Sequence, residues 1–216
     1  MAGADEALRL EALRLNDRYL REVVLAFGLC PWAEHAIDAG EVRREVILDA
    51  APPPEAVLPF IDACEAGDDG RAVAAIGLAI FPRCALSAAA FDRFVEAVRR
   101  ADRARRPPGD HPLFMMAAFH PGGAEAFETA AQMVSFVRRT PDPTIQLVRA
   151  ALIDRLREAR PAVSEEIARQ NHAAVMARGP GAVDQVVRDV RRDRDASYAA
   201  IDRAPDSHEG NQGAKG

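Results

Sequence analysis

Cys30, His120 and a set of arginines are the residues of this chain whose types and settings could do chemistry. Cys30 stands in Gly28-Leu29-Cys30-Pro31-Trp32, between a long amphipathic stretch and a short one. Glycine enters the left-handed backbone region without steric penalty, which suits Gly28 to a helix stop. Proline suits a helix's first position, where its missing N–H is not needed, so Pro31 reads as the start of the next helix. Cys30 is thereby expected at or beside a helix N-cap, where free amides and the positive dipole end favour a thiolate. Two readings follow. Either Cys30 is a nucleophilic, redox or metal-ligating thiolate with a pKa below the free value of about 8.5, or it is an ordinary buried packing cysteine. Cys64 and Cys84 read as helix packing and a loop thiol.

His120 lies in Phe119-His120-Pro121-Gly122-Gly123, at the end of an apolar run. Open α/β sheets bind ligands beyond the carboxyl ends of their strands, and glycines there let backbone approach a ligand closely. The alternative is a histidine that hydrogen-bonds a turn. Arg138, Arg139 and Arg149 are candidate anion hooks. Arg139 precedes Thr140-Pro141-Asp142-Pro143, a turn feeding a predicted helix start near Thr144. A guanidinium beside a helix N-terminus suits a carboxylate or phosphate. The competing reading is a salt bridge to an acidic residue such as Asp142, or, for Arg149, a solvated helix position. On the functional reading Cys30 and His120 are catalytic, converging with Arg139 on one pocket. Arg138, Arg139, Thr140, Arg149 and Trp32 then bind substrate, with core packing the alternative for Trp32. Arg139→Ala is expected to leave the melting temperature nearly unchanged, as exposed charge deletions do.

Composition limits the function classes. With 216 residues, 49% hydrophobic, the chain can bury one sizeable core, with or without a helical appendage. The net charge is −5, and no basic tract carries interleaved aromatics, so no nucleic-acid partner is expected. Three widely spaced cysteines argue against a disulfide framework and for a reducing, cytoplasmic setting. There is no CxxC pair, so no structural zinc site is expected; His111, His172 and His208 show no metal-ligand spacing with one another, and His35 reads as a solvent-facing position on the short helix, so no metal ligands are assigned. Phosphate-loop, dinucleotide and serine-hydrolase motifs are missing, and no cofactor follows from the sequence. The N-terminus lacks the pattern of a signal peptide, and apolar runs are of strand length, so no membrane span is expected.

The elements that must position these groups begin with a helix over 5–27 and a short helix over 31–39. A strand over 42–48, a helix over 55–66, a turn at 67–70 and a fully apolar strand over 73–81 follow. Ser87 can cap a helix over 88–104, and a third strand spans 113–119. This order predicts an α/β (or α+β) fold: a three-stranded or slightly larger sheet, parallel or mixed, from a β-α-β-α-β core over about 28–123. A helical C-terminal part over about 144–201 completes it. Its expected helices are 145–159 capped by Thr144, 165–178 capped by Ser164, and a charged one over 183–201. Residues 1–201 read as one domain and 202–216 as a disordered tail.

Taken in order, several segments resemble a bacterial family known as domain of unknown function 1415, over roughly residues 10–180. They are Leu29-Cys30-Pro31-Trp32-Ala33, Phe119-His120-Pro121, Arg138-Arg139-Thr140-Pro141-Asp142-Pro143 followed by Gln146-Leu147-Val148-Arg149, and Ile167 with Asn171. Here Arg138 stands where the family pattern has asparagine, Thr140 where it has serine, and Gln146 where it has histidine. The resemblance implies which positions matter and no reaction. Three functions stay open: an enzyme acting on a small anionic substrate through Cys30, His120 and arginine; a non-catalytic module binding a small molecule, metal or haem; and an assembly partner docking through the charged last helix. No oligomeric state is predicted.

Overall fold

Ile76-Gly77-Leu78-Ala79-Ile80 carries no polar side chain, and all five residues are buried. Such a strand must be covered on both faces, and this sets the architecture. A computed structural model describes residues 2–30, 32–66, 74–159 and 162–203. Its elements are α1 (Ala2–Tyr19), a π-helical segment (Leu20–Leu25), α2 (Ala33–Asp38), β1 (Val42–Val46), a 3-10 turn (Pro54–Val57), α3 (Leu58–Ala66), β2 (Ile76–Ile80), α4 (Ala88–Ala104), β3 (Phe114–Phe119), α5 (Ala130–Phe136), β4 (Thr144–Arg149), α6 (Ala150–Ala159), α7 (Val163–Arg178) and α8 (Pro180–Arg203). The strand order is β1-β2-β4-β3. β1 runs parallel to β2, and β4 runs antiparallel to both β2 and β3. This is the predicted α/β class, with a mixed four-stranded sheet, a long N-terminal helix and a helical C-terminal region.

Alternation along the strands separates two faces. Ala79, Ile145, Leu147 and Phe114 join Phe60 and Ile61 of α3 and Phe91, Val95 and Val98 of α4 in one core. The predicted cap of α4 is present, with the Ala90 N–H donating to Ser87 Oγ at 3.3 Å. The opposite face meets Ala12 of α1 and Ala36 of α2 through Val46, Ile76, Leu78 and Ile80. Beyond it, Leu15, Tyr19 and Val23 pack with Met133, Phe136, Val175, Val183 and Val187.

Four expectations change. Thr144–Arg149 is a central strand, not the first turns of a helix, and only Ala150–Ala159 is helical. Ile145 and Val148 fit a helical spacing, but Thr, Ile and Val also favour a pleated surface, and the open edges of β2 and β3 decide the matter. The first helix widens over Leu20–Leu25, where Ala26 N–H reaches Arg21 O; Gly28, at φ +63°, then stops it as expected. α5 was not anticipated, although Thr129 and Gln132 form a reciprocal capping box at its start. α7 begins at Val163, with Ala162 in the capping place. Pro31, the predicted turn at 67–70, Val73 and residues 204–216 of the predicted tail lie outside the described residues, whereas Asp202 and Arg203 belong to α8.

Candidate functional site

Register aligns side chains of one sheet face in rows. Val42, Ile76, Val148 and Met115 form one row, Leu78, Gln146 and Ala117 the next, and Thr144 and Phe119 lie in the third. Together they floor a cavity of about 350 Å³ on the face away from α3 and α4. Its walls come from Asn16 and Tyr19 of α1, Leu20 and Val24 of the π-helical segment, Leu29, Cys30 and Trp32, Ile37, Arg138 and Thr140, Ile153, and Ile167 and Asn171 of α7. The widening of the first helix therefore falls on the cavity wall, where such irregularities often mark functional sites.

Cys30 lies just ahead of α2, whose capping residue is Trp32 and has no side-chain cap. The Ala33 N–H donates to Cys30 O at 3.2 Å, and the nearby backbone amides of Trp32 and Ala33 favour a thiolate, as the sequence argument required. Burial nevertheless outweighs them and pushes the thiol above its ordinary pKa. The expected lowering is thus overturned by desolvation. α7 fastens this segment from the other side: Asn171 Nδ2 donates to Leu29 O at 3.0 Å.

Arg138 is the charged group on the cavity wall. Its guanidinium lies 5.3 Å from the centre of the Phe119 ring, and no side-chain hydrogen bond or ion pair engages it among the described residues. Burial pushes its pKa below the ordinary arginine value. Tyr19 braces the same stretch by donating its hydroxyl to Val137 O.

The neighbouring arginine faces elsewhere. Arg139 is only 2% exposed. Its Nε donates to Phe136 O at 3.0 Å, its Nη1 to Asp184 Oδ1 at 2.8 Å, and its guanidinium lies 4.2 Å from the Phe136 ring centre. It joins the end of α5 to α8 and does not line the cavity. Gly123 is glycine for the same reason: a Cβ there would meet Arg139 Cγ at 3.1 Å and Ser135 O at 3.2 Å. The close approach expected toward a ligand is toward this arginine.

His120 also lies off the cavity. Its Nδ1 accepts the Gly122 N–H at 2.9 Å, which leaves Nε2 to donate to Leu86 O, also at 2.9 Å. Both ring nitrogens are engaged, and burial lowers the pKa. Arg149 ends β4 opposite Phe114, its N–H bonded to Ala75 O at 3.1 Å. The structure therefore brings Cys30, Trp32, Arg138 and Thr140 to one cavity and leaves His120, Arg139 and Arg149 outside its lining.

Asp142 does make a salt bridge, but to a distant arginine. Only 1% exposed, it takes Arg194 Nε at 2.7 Å on Oδ1 and the Tyr198 hydroxyl at 2.7 Å on Oδ2. Burial pushes its carboxyl up, against the pull of both partners. Thr140 and Thr144 donate their hydroxyls to Asp142 O at 2.7 and 2.9 Å. The 138–143 turn is thus pinned to α8, which holds Arg138 in place.

Sequence reasoning passed over Asn16. It is 3% exposed and lines the cavity, and its Oδ1 has no hydrogen-bond partner. Its signal was legible: a carboxamide set between the buried Ala12, Leu15, Tyr19 and Val23 of the first helix. Gln146 sits mid-sheet on the cavity floor.

Among the described residues, no group of three His, Cys, Asp or Glu side chains is placed to hold a metal ion, and no helix is long and apolar enough to cross a membrane. Comparison with curated proteins and with solved structures gives no match. The model of one family, "protein of unknown function (DUF1415)", matches residues 11–185; the motif segments and every wall of the cavity fall within that span, and the chain belongs to this family.

Proposed function

We propose that this protein binds a small molecule with an apolar body and an anionic end in the sheet-face cavity, with Arg138 taking the anion. The observation that carries this reading is the Arg138 guanidinium, which packs on the Phe119 ring and has no hydrogen bond or ion pair among the described residues, at a wall that includes Leu20, Val24, Leu29, Trp32 and Ile37. A desolvated charge without a counter-charge is costly, and an incoming carboxylate or phosphate offsets that cost with paired hydrogen bonds. Binding cavities are commonly mostly apolar with a few placed polar groups. At roughly 30 Å³ per small group, this one has room for about a dozen non-hydrogen atoms. Arg138, Thr140 and Gln146, where this chain departs from the family pattern, all line it.

Calorimetric titration with octanoate, octyl phosphate and octan-1-ol tests the reading. The acids should bind and raise the melting temperature, and Arg138→Leu should weaken them at least tenfold while changing octan-1-ol little. Acids that bind no tighter than the alcohol, or equally well to the variant, overturn it.

A second reading, thiol catalysis on the bound anion, is supported by the place of Cys30 in the same wall, beside the Trp32 and Ala33 amides that favour its thiolate. Nothing supports His120 as its base, since that ring is engaged by Leu86 and Gly122. Cys30→Ser should keep ligand affinity and lose turnover of the ligand; unchanged turnover removes this reading. Docking of a partner through α8 has less support, because Asp184, Asp193 and Arg194 are engaged by Arg139, Arg14, Arg18 and Asp142 of the chain itself.

A further inference from the structure

Among the described residues, Arg138 is the single charged side chain in the lining of the cavity, and no carboxylate faces it there. The titratable groups beside it, the Cys30 thiol and the Tyr19 hydroxyl, are raised by burial and keep their protons. From outside the lining, Asp92 and Arg99 act on the guanidinium in opposite directions. Donors are as scarce as charge. Thr140 and Thr144 already donate to Asp142 O, Asn171 to Leu29 O, and Tyr19 to Val137 O. The amides of Asn16 and Gln146 are neutral. One planar guanidinium matches the two oxygens of a carboxylate and its single charge. A second charge drawn out of water into such a wall would meet no counter-charge, and its desolvation would oppose binding.

We infer that the ligand is a singly charged acid, an apolar monocarboxylate, and that the cavity discriminates against phosphomonoesters. This rests on the anion-binding reading and narrows it to one class of acid.

The test separates charge from shape. At pH 8 octyl phosphate carries about two charges; octyl sulfate has the same tetrahedral head with one, and octanoate has one on a planar head. Titrated calorimetrically into the wild-type protein, octanoate and octyl sulfate should bind within a few fold of each other. Octyl phosphate should bind about tenfold more weakly than octyl sulfate, yet more tightly than octan-1-ol. Gln146 lies on the floor one row, about 7 Å, from Phe119, over which Arg138 lies. Gln146→Lys therefore adds a second cation within reach of the head and should bring octyl phosphate level with octyl sulfate; Gln146→Arg serves if the lysine variant does not fold. If octyl phosphate matches octyl sulfate in the wild type, if octyl sulfate falls with it below octanoate, or if the deficit persists in both Gln146 variants, the inference is wrong and the anion reading stands. If octanoate and octyl sulfate bind no tighter than octan-1-ol, the anion reading itself has failed.

Discussion

Replacing Arg139 with alanine should unfold this protein at a much lower temperature, the reverse of what an exposed anion hook would do. The side chain is 2% exposed and makes three separate contacts: with Phe136 O, with Asp184, and with the Phe136 ring. Removing one member of a buried pair costs about 3–5 kcal/mol. Two features place this case at the low end. Asp184 keeps Arg188 as a second partner at 2.6 Å, and Arg139 Nη2 has no acceptor of its own. A loss of about 3 kcal/mol, at about 2–4 °C per kcal/mol for a chain of this size, lowers the melting temperature by about 6–12 °C. Arg139→Lys should recover only part of it, because an ammonium cannot serve Phe136 O and Asp184 with the geometry of a guanidinium. Scanning calorimetry on both variants, with Arg138→Ala as the neighbouring control, measures this directly. An Arg139→Ala protein melting within about 2 °C of wild type would falsify the reasoning.

Three further outcomes follow from the same geometry. Burial holds the His120 pKa below its ordinary value, so the folded state takes up this proton less readily than the unfolded one. The stability it contributes should be complete above about pH 6.5 and decline as pH falls through the lowered folded value. Urea denaturation at pH 7.5, 6 and 5 should show a shallower decline in His120→Gln, and an equal one would assign the effect to other groups. Cys30 should react with iodoacetamide at pH 8 more slowly than free cysteine, and Cys64, pushed up to about 12, more slowly still; peptide mass spectrometry giving a Cys30 faster than the free thiol would contradict the burial argument. Arg138→Leu should leave the ligand-free protein melting at or a few degrees above wild type, because it removes a desolvated charge with no ion pair among the described residues while leucine can still pack on the Phe119 ring; a drop beyond about 5 °C would make that guanidinium structural.

Elements whose pattern admits one solution were readable from the residues. A short apolar run between the glycines at 67 and 70 and Pro82 reads as a buried strand, and Ser87 ahead of Phe91, Val95 and Val98 reads as the start of a helix with one dry face. Gly28 marks its stop by a backbone conformation that other residues avoid. Thr144–Arg149 has two solutions locally, and the choice between them is made by strands distant in sequence. The site divides along the same line. The sequence grouped the Cys30, His120 and 138–143 segments, and the structure puts Cys30, Arg138 and Thr140 on one cavity wall and leaves His120 and Arg139 off it. Which of two adjacent arginines meets the cavity was not legible, because it depends on Asp184 of α8 claiming Arg139. The two readings of the Cys30 thiol stayed open for a related reason: the amides are local and visible in sequence, whereas the burial that opposes them is supplied by the tertiary fold.

The position of β4 has a consequence for how the chain is made. β4 lies between β2 and β3, yet it is the last strand to leave the ribosome. Until Thr144–Arg149 has emerged, β1 and β2 have each other, while β3 has no neighbour and the inner edge of β2 stays open. Unpaired edges on a growing chain are templates for association with other chains. A chain that stalls before residue 144 is therefore a hazard, not a smaller version of the protein. The cavity is completed later still, because Ile153, Ile167 and Asn171 wall it and α8 pins the 138–143 turn, so no nascent chain presents Arg138 in its final setting before the sheet is complete.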